Sequence, residues 1–211
     1  MSESQLPINQ NFSKLPSQKS ITTAIDSLKD HGINAEFVST GGEAKQRVLE
    51  LIPEGSEVMT MTSKTLAAVG LEKELNESAH YQSVRQELLA HAGQPQPRDL
   101  KAKANLPEYT VGSVHAVTQD GKVLIASNTG SQLGAYAYGA DHIIWVVGAQ
   151  KVVQDQEEGL KRIYEYSYPL EDRRAQEAYG IRSAVNKILI INGERIPGRI
   201  HMIIVGENIG F

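Results

Sequence analysis

The chain has 211 residues, with 21 lysines and arginines against 25 aspartates and glutamates, and no cysteine. A chain of this length can bury roughly 70% of its unfolded surface, so it needs neither disulfides nor a metal to complete a core. The missing thiols exclude disulfide frameworks, thiolate zinc sites, iron–sulfur ligation and cysteine nucleophiles. A net charge of −4 without any basic run argues against nucleic-acid binding through phosphate neutralisation.

Residues 1–17 are polar, carry Pro7 and Pro16, and read as a loose tail without the charged and apolar regions of a secretory signal. The longest run of bulky apolar residues, Ile143 to Val147, is far too short to span a membrane. A cytoplasmic protein is expected, with one domain over residues 18–211. "SITTAIDSLKDHGI" puts Ile21, Ile25 and Leu28 on one helical face, with Gly32 as its stop. "NAEFVS" reads as a strand. Gly41 and Gly42 turn into the helix "EAKQRVLELI", which Pro53 and Gly55 close, and "SEVMTM" is the next strand. Ser63 suits the N-cap of "KTLAAVGL". This alternation predicts parallel β-α units.

Residues 72–106 are polar and proline-containing, and read as helices and loop lying against the domain. "VGSVHAVTQDGKVLIAS" then alternates around Asp120-Gly121, a short hairpin signal. "DHIIWVVGAQ" is a buried strand, Asp155 caps a helix, and "LEDRRAQEAYG" is a further helix closed by Gly180. "VNKILIING" and "GRIHMIIVGEN" are expected to finish the sheet. The expected core includes Val58, Leu124, Ile143, Val146, Ile188, Ile190 and Ile203.

Several signatures fail. "TSKT" resembles the end of a phosphate-binding loop, but Ser63 and Val58 stand where its glycines belong. The histidines lack metal-ligand spacing, so no metal site is expected. What remains is two loops of matching chemistry: Thr62, Ser63 and Lys64 after one strand, and Ser127, Asn128, Thr129, Gly130, Ser131 and Gln132 after another. If each enters a helix, free N–H groups there favour an anion, and small residues let it approach the backbone. In open α/β sheets ligands bind beyond the strand carboxyl ends, so converging loops would hold a phosphate, a carboxylate or a pantetheine-like group. Each loop alone reads equally well as a turn in which Ser63 or Ser131 is an N-cap. On the hairpin, His115, Gln119 and Asp120 are candidates for acid–base chemistry. Against this, Asp120 suits a turn and His115 a solvent-facing position.

The run "GSVHAVTQDGKVLIASNTGSQLGAYAYGADHIIWVVGAQKVV", followed by "YPLEDRRAQEAYG", "VNKILIING" and "PGRIHMIIVGENIGF", resembles the lactate-utilisation (LUD) domain family of the LutC/YkgG type, over about residues 20–211. The resemblance implies an α/β fold of the NagB/RpiA/CoA-transferase kind, a Rossmann-like mainly parallel sheet flanked by helices with an inserted β-hairpin. It also implies a part in oxidation of L-lactate to pyruvate, beside separate iron–sulfur partner proteins and with no cofactor on this chain. The partners it implies are a small anionic metabolite, those iron–sulfur proteins and further copies of the chain, with no nucleic acid and no membrane span.

Two departures stand out. Relatives commonly carry Ala-Glu-Thr-Gly in the hairpin, where this chain has Thr118-Gln119-Asp120-Gly121. The Ser-Glu-Asn-Gly motif of family I CoA transferases is matched by Ser127-Asn128-Thr129-Gly130, with an amide in place of the nucleophile. A stand-alone enzyme acting on a sugar phosphate or CoA thioester, and a non-enzymatic ligand-binding module, therefore remain alternatives.

Overall fold

A computed structural model describes residues 6–95 and 97–211. Helix α1 (Gln18–Asp30) starts where Ser17 Oγ accepts the Ser20 N–H, and it buries Ile21, Ala24, Ile25 and Leu28. Strand β1 (Asn34–Val38) leads to α2 (Gly41–Leu51), whose capping box pairs Thr40 and Glu43 reciprocally. Strand β2 (Glu57–Thr60) is followed by the short helices α3 (Lys64–Ala68) and α4 (Leu71–Glu77). The polar middle of the chain forms β3 (Gln82–Ser83), α5 (Val84–Ala90) and α6 (Arg98–Asn105). Next come β4 (Tyr109–Gly112), β5 (Ala116–Thr118), β6 (Val123–Ser127) and, after a π-helical turn at Ala135–Gly139, β7 (His142–Gly148). The chain ends through β8 (Val152–Val153), α7 (Gln156–Arg162), α8 (Tyr168–Tyr179), β9 (Lys187–Ile191) and β10 (Ile200–Val205).

Six strands form a parallel sheet in the order β1-β10-β7-β4-β2-β3, flanked by helices, so the chain is α/β as expected. Its central strands are apolar on both faces because both faces are covered. Ile143, Trp145, Val147, Ile200, Met202 and Ile204 pack towards α1, while Ile144, Val146, Ile203 and Val205 pack with Val48, Leu66 and Leu71 on the other side.

A second sheet, β8-β5-β6-β9, lies beside the first, and its β5–β6 and β6–β9 pairs are antiparallel. Two expectations are corrected here. The inserted hairpin is β5–β6 alone, since Val111 and Gly112 belong to β4 of the main sheet. "VNKILIING" supplies β9 at the edge of the second sheet instead of completing the first, so Ile188 and Ile190 are only partly buried. Val58, Leu124, Ile143, Val146 and Ile203 are fully buried.

Candidate functional site

Because β2, β4, β7 and β10 run parallel, their carboxyl ends at Thr60, Gly112, Gly148 and Val205 share one side of the sheet. Past β7 a single 3-10 turn, Ala149–Lys151, drives Lys151 inward until it is 1% exposed. Its Nζ donates to Thr65 Oγ1 and to Ser113 Oγ, each at 3.0 Å. Thr65 directs its own hydroxyl hydrogen to the Ile209 carbonyl at 3.4 Å, so towards Lys151 it acts as acceptor. Gln150 Nε2 donates to the Ile209 and Gly210 carbonyls at 3.0 and 3.1 Å, which holds the segment after β10 over this side of the sheet.

Arg162, at the end of α7, is completely buried. Its Nη1 donates to the His115 carbonyl at 2.5 Å and to Ser167 Oγ at 2.9 Å, and its Nε donates to the Gln150 carbonyl at 3.4 Å. Nη2 has no partner. His115 Nδ1 accepts the Ala126 N–H at 3.1 Å, which leaves the ring proton on Nε2.

The electrostatics follow from burial. Desolvation, with Arg162 nearby, holds the Lys151 ammonium well below the usual lysine range. Burial, then the charges of Lys151 and Arg162, push His115 down to about 3. Burial lowers Arg162 to about 10, so it stays charged at neutral pH. Among the described residues, no carboxylate lies within ion-pair distance of any of the three. The cluster thus offers donors and positive charge with no protein acid to neutralise them.

Of the residues singled out from the sequence, His115 lies in this cluster. Thr62, Ser63 and Lys64 sit just before Thr65 in the chain. Thr62 is exposed and accepts from Arg85 Nη2 at 2.7 Å, Ser63 caps α3 through the Leu66 N–H, and Lys64 is exposed. Ser127 to Gln132 leave the second sheet and cross to β7 of the main one, which accounts for the length of that loop.

The polar groups of that loop bond largely to the loop and its flanks. Gly130 N–H donates to Ser127 Oγ, Ser131 N–H to Thr129 Oγ1, and Gln132 Nε2 to the Ala126 carbonyl, while Asn186 Nδ2 donates to Asn128 Oδ1. Among the described residues no hydrogen bond joins this loop to Thr62, Ser63 or Lys64. The helical segments after the two loops are both shorter than two turns, so neither supplies the dipole of a long helix. Gln119 and Asp120 lie in the hairpin turn, where Asp120 accepts from Thr118 and from Lys122 Nζ, both of which lower its carboxyl pKa.

Sequence reasoning passed over Lys151, Arg162 and Ser113, while Thr65 closed the first of the two candidate loops. The available signal was the single lysine in "WVVGAQKVV", directly beyond a buried strand that feeds a parallel sheet.

The profile of the LUD domain matches residues 21–205. No curated protein matches the sequence. The crystal structure of a DUF162-family protein from Deinococcus radiodurans is similar at a TM-score of 0.59 and 15% identity, covering 91% of this chain and 99% of that one. Two Chaetomium thermophilum structures, eIF2B beta and eIF2B delta, each give a TM-score of 0.36, at 15% and 18% identity. They match over 66% and 68% of this chain and 47% and 60% of their own. At such identities the deinococcal likeness concerns the fold.

Proposed function

The chain belongs to the LUD-domain family, and from that premise we propose that it binds a small organic acid at the carboxyl ends of the main sheet, as a component of L-lactate-to-pyruvate utilisation. The observation that carries this reading is Arg162, buried and charged, with no hydrogen bond at Nη2 and, among the described residues, no carboxylate beside it. A buried charge without a counter-ion is costly, and a carboxylate that accepts from a guanidinium offsets that cost with strong, directional bonds. The Ser113 hydroxyl, which accepts from Lys151, keeps its own hydrogen as a further donor. His115 offers Nε2–H. Thr62, Ser63 and Lys64 form the outer rim, where Lys64 attracts the anion. With no thiolate in the chain, electrons taken from the acid leave through separate iron–sulfur partner proteins in the cytoplasm.

Calorimetric titration with L-lactate, pyruvate, inorganic phosphate, a sugar phosphate and CoA tests the proposal. Lactate or pyruvate should bind, and Arg162→Met should weaken that binding by about tenfold to a hundredfold, the equivalent of one charge-assisted hydrogen bond. Tighter binding of the sugar phosphate or of CoA would replace this reading with an enzyme of a different substrate class.

A further inference from the structure

We propose that Lys151 is an amine nucleophile that condenses with the carbonyl of a small 2-oxo acid to form an imine. This deepens the organic-acid reading above and rests on it.

The first support is the hydrogen-bond geometry. A neutral amine has two N–H bonds and one lone pair. Thr65 Oγ1 and Ser113 Oγ lie 3.0 Å from Nζ, and the Thr65 hydrogen is already directed to Ile209, so both N–H bonds have acceptors and the lone pair is left over. The second support is the electrostatic setting. No carboxylate beside Lys151, among the described residues, holds a proton on it, and burial with Arg162 close by favours the uncharged form. A lysine desolvated beside another cation is an activated nucleophile at neutral pH.

The third support is the neighbourhood. An amine that attacks carbonyls, next to a guanidinium with a free Nη2, suits a molecule that carries both a carbonyl and a carboxylate. Ser113 and His115 are only partly buried, so the approach to the enclosed Nζ that this chemistry requires runs past them.

The chemistry balances without any oxidant. The Nζ lone pair forms a bond to the carbonyl carbon, and the C=O π pair moves to oxygen, which takes a proton from the nitrogen through the Ser113 hydroxyl. The nitrogen lone pair then forms C=N as the hydroxyl leaves. That hydroxyl takes the second amine proton, so one water is released.

Borohydride trapping tests this on the wild-type chain. The protein is incubated with pyruvate and borohydride, digested, and mapped by mass spectrometry, with acetone as a carbonyl control that lacks the carboxylate. The expected result is an adduct on Lys151, heavier by the oxo acid less one oxygen atom, that acetone does not give at the same concentration. Lys151→Arg should abolish it. Adduct shared evenly with exposed lysines such as Lys64 would overturn the proposal. Pyruvate binding without a Lys151 adduct would overturn the imine and leave the organic-acid site standing. No binding of either acid would remove both.

Discussion

A β-carbon added to Gly112 would lie 1.8 Å from the Tyr136 hydroxyl and 3.2 Å from Met61 Cβ. Gly112 ends β4 where the buried Tyr136 ring stands edge-on to Trp145, with centroids 5.4 Å apart and planes at 89°. The Tyr136 hydroxyl also donates to the Ser113 carbonyl at 3.5 Å, so the glycine, the ring and the start of the Lys151 site are one packing unit. Gly112→Ala must displace the ring, and overpacking of this kind typically costs ~1–3 kcal/mol. A lower urea midpoint at unchanged slope is expected, together with weaker binding at Ser113. An unchanged midpoint would show that Tyr136 has room to move.

Arg199 holds the turn that carries this ring through its backbone carbonyls. It is 4% exposed and donates from Nε to the Ala140 carbonyl at 2.9 Å and from Nη2 to the Ala135 carbonyl at 3.2 Å, closing the π-helical turn that carries Tyr136. Its Nη1 meets Glu194 Oε2 at 2.6 Å, and the Glu194 carboxyl, which burial alone would raise, is held below the usual glutamate range by the Ile196 N–H, Arg199 and the Arg195 N–H together. Arg199→Met removes all of these bonds at once and leaves the Glu194 carboxylate with its backbone N–H bonds but no countercharge. Breaking a buried pair in this way typically costs about 3–5 kcal/mol. Arg199→Lys should recover only part of the loss, because an ammonium cannot span the same fork of acceptors. Full recovery by lysine in chemical denaturation would contradict the role given to the fork.

The acid limb of stability should carry the signature of His115. Its pKa is pushed from 6.5 to about 3 in the folded chain. Between those values the unfolded chain binds a proton that the folded chain refuses, so stability is fully present above pH 6.5 and falls as pH drops towards 3. The slope for one such group is at most ~1.4 kcal/mol per pH unit, and partial exposure of the ring brings it below that limit. Lys151, also lowered, acts in the same direction from higher pH. His115→Asn keeps an acceptor for the Ala126 N–H and removes the titration. Urea unfolding over a pH series should therefore give a flatter acid limb in the variant. Parallel limbs would mean that the imidazole titrates as an ordinary surface histidine.

The helices and strands before residue 70 were legible because their punctuation is explicit. Ser17, the Thr40–Glu43 pair and Ser63 all cap helices in the structure. The later strands were harder to assign. "ILII" in β9 and "MIIV" in β10 are equally apolar, yet β9 is an edge strand of the second sheet and β10 sits in the middle of the first. Nothing in a continuous apolar run says which sheet it joins. Lys151 was opaque for a similar reason, since a lysine after a strand reads as a solvated end. Only the packing of Thr65 and Ser113 around it, from segments 86 and 38 residues away, buries it. Arg162 was concealed within the charged run "EEGLKR".

The loop from Ser127 to Gln132 separates a structural turn from a binding element. Gly130 has φ +88, a left-handed conformation, and a β-carbon there would lie 2.8 Å from Lys187 Cδ. Alanine at such a position is strained and typically costs on the order of 1 kcal/mol. The neighbouring hydroxyls and amides already hold the turn together, so Gly130→Ala should lower the melting temperature equally with and without lactate. Lys64→Ala should do the opposite. That side chain is exposed, so its loss should leave the melting temperature of the free protein within error. Lactate binding should weaken by less than tenfold, since an exposed charge contributes ~0.2–1 kcal/mol, and the difference should vanish at high salt. If Gly130→Ala abolished the lactate-dependent shift and Lys64→Ala left affinity unchanged, the ligand would lie against the crossover loop instead of beside Lys151.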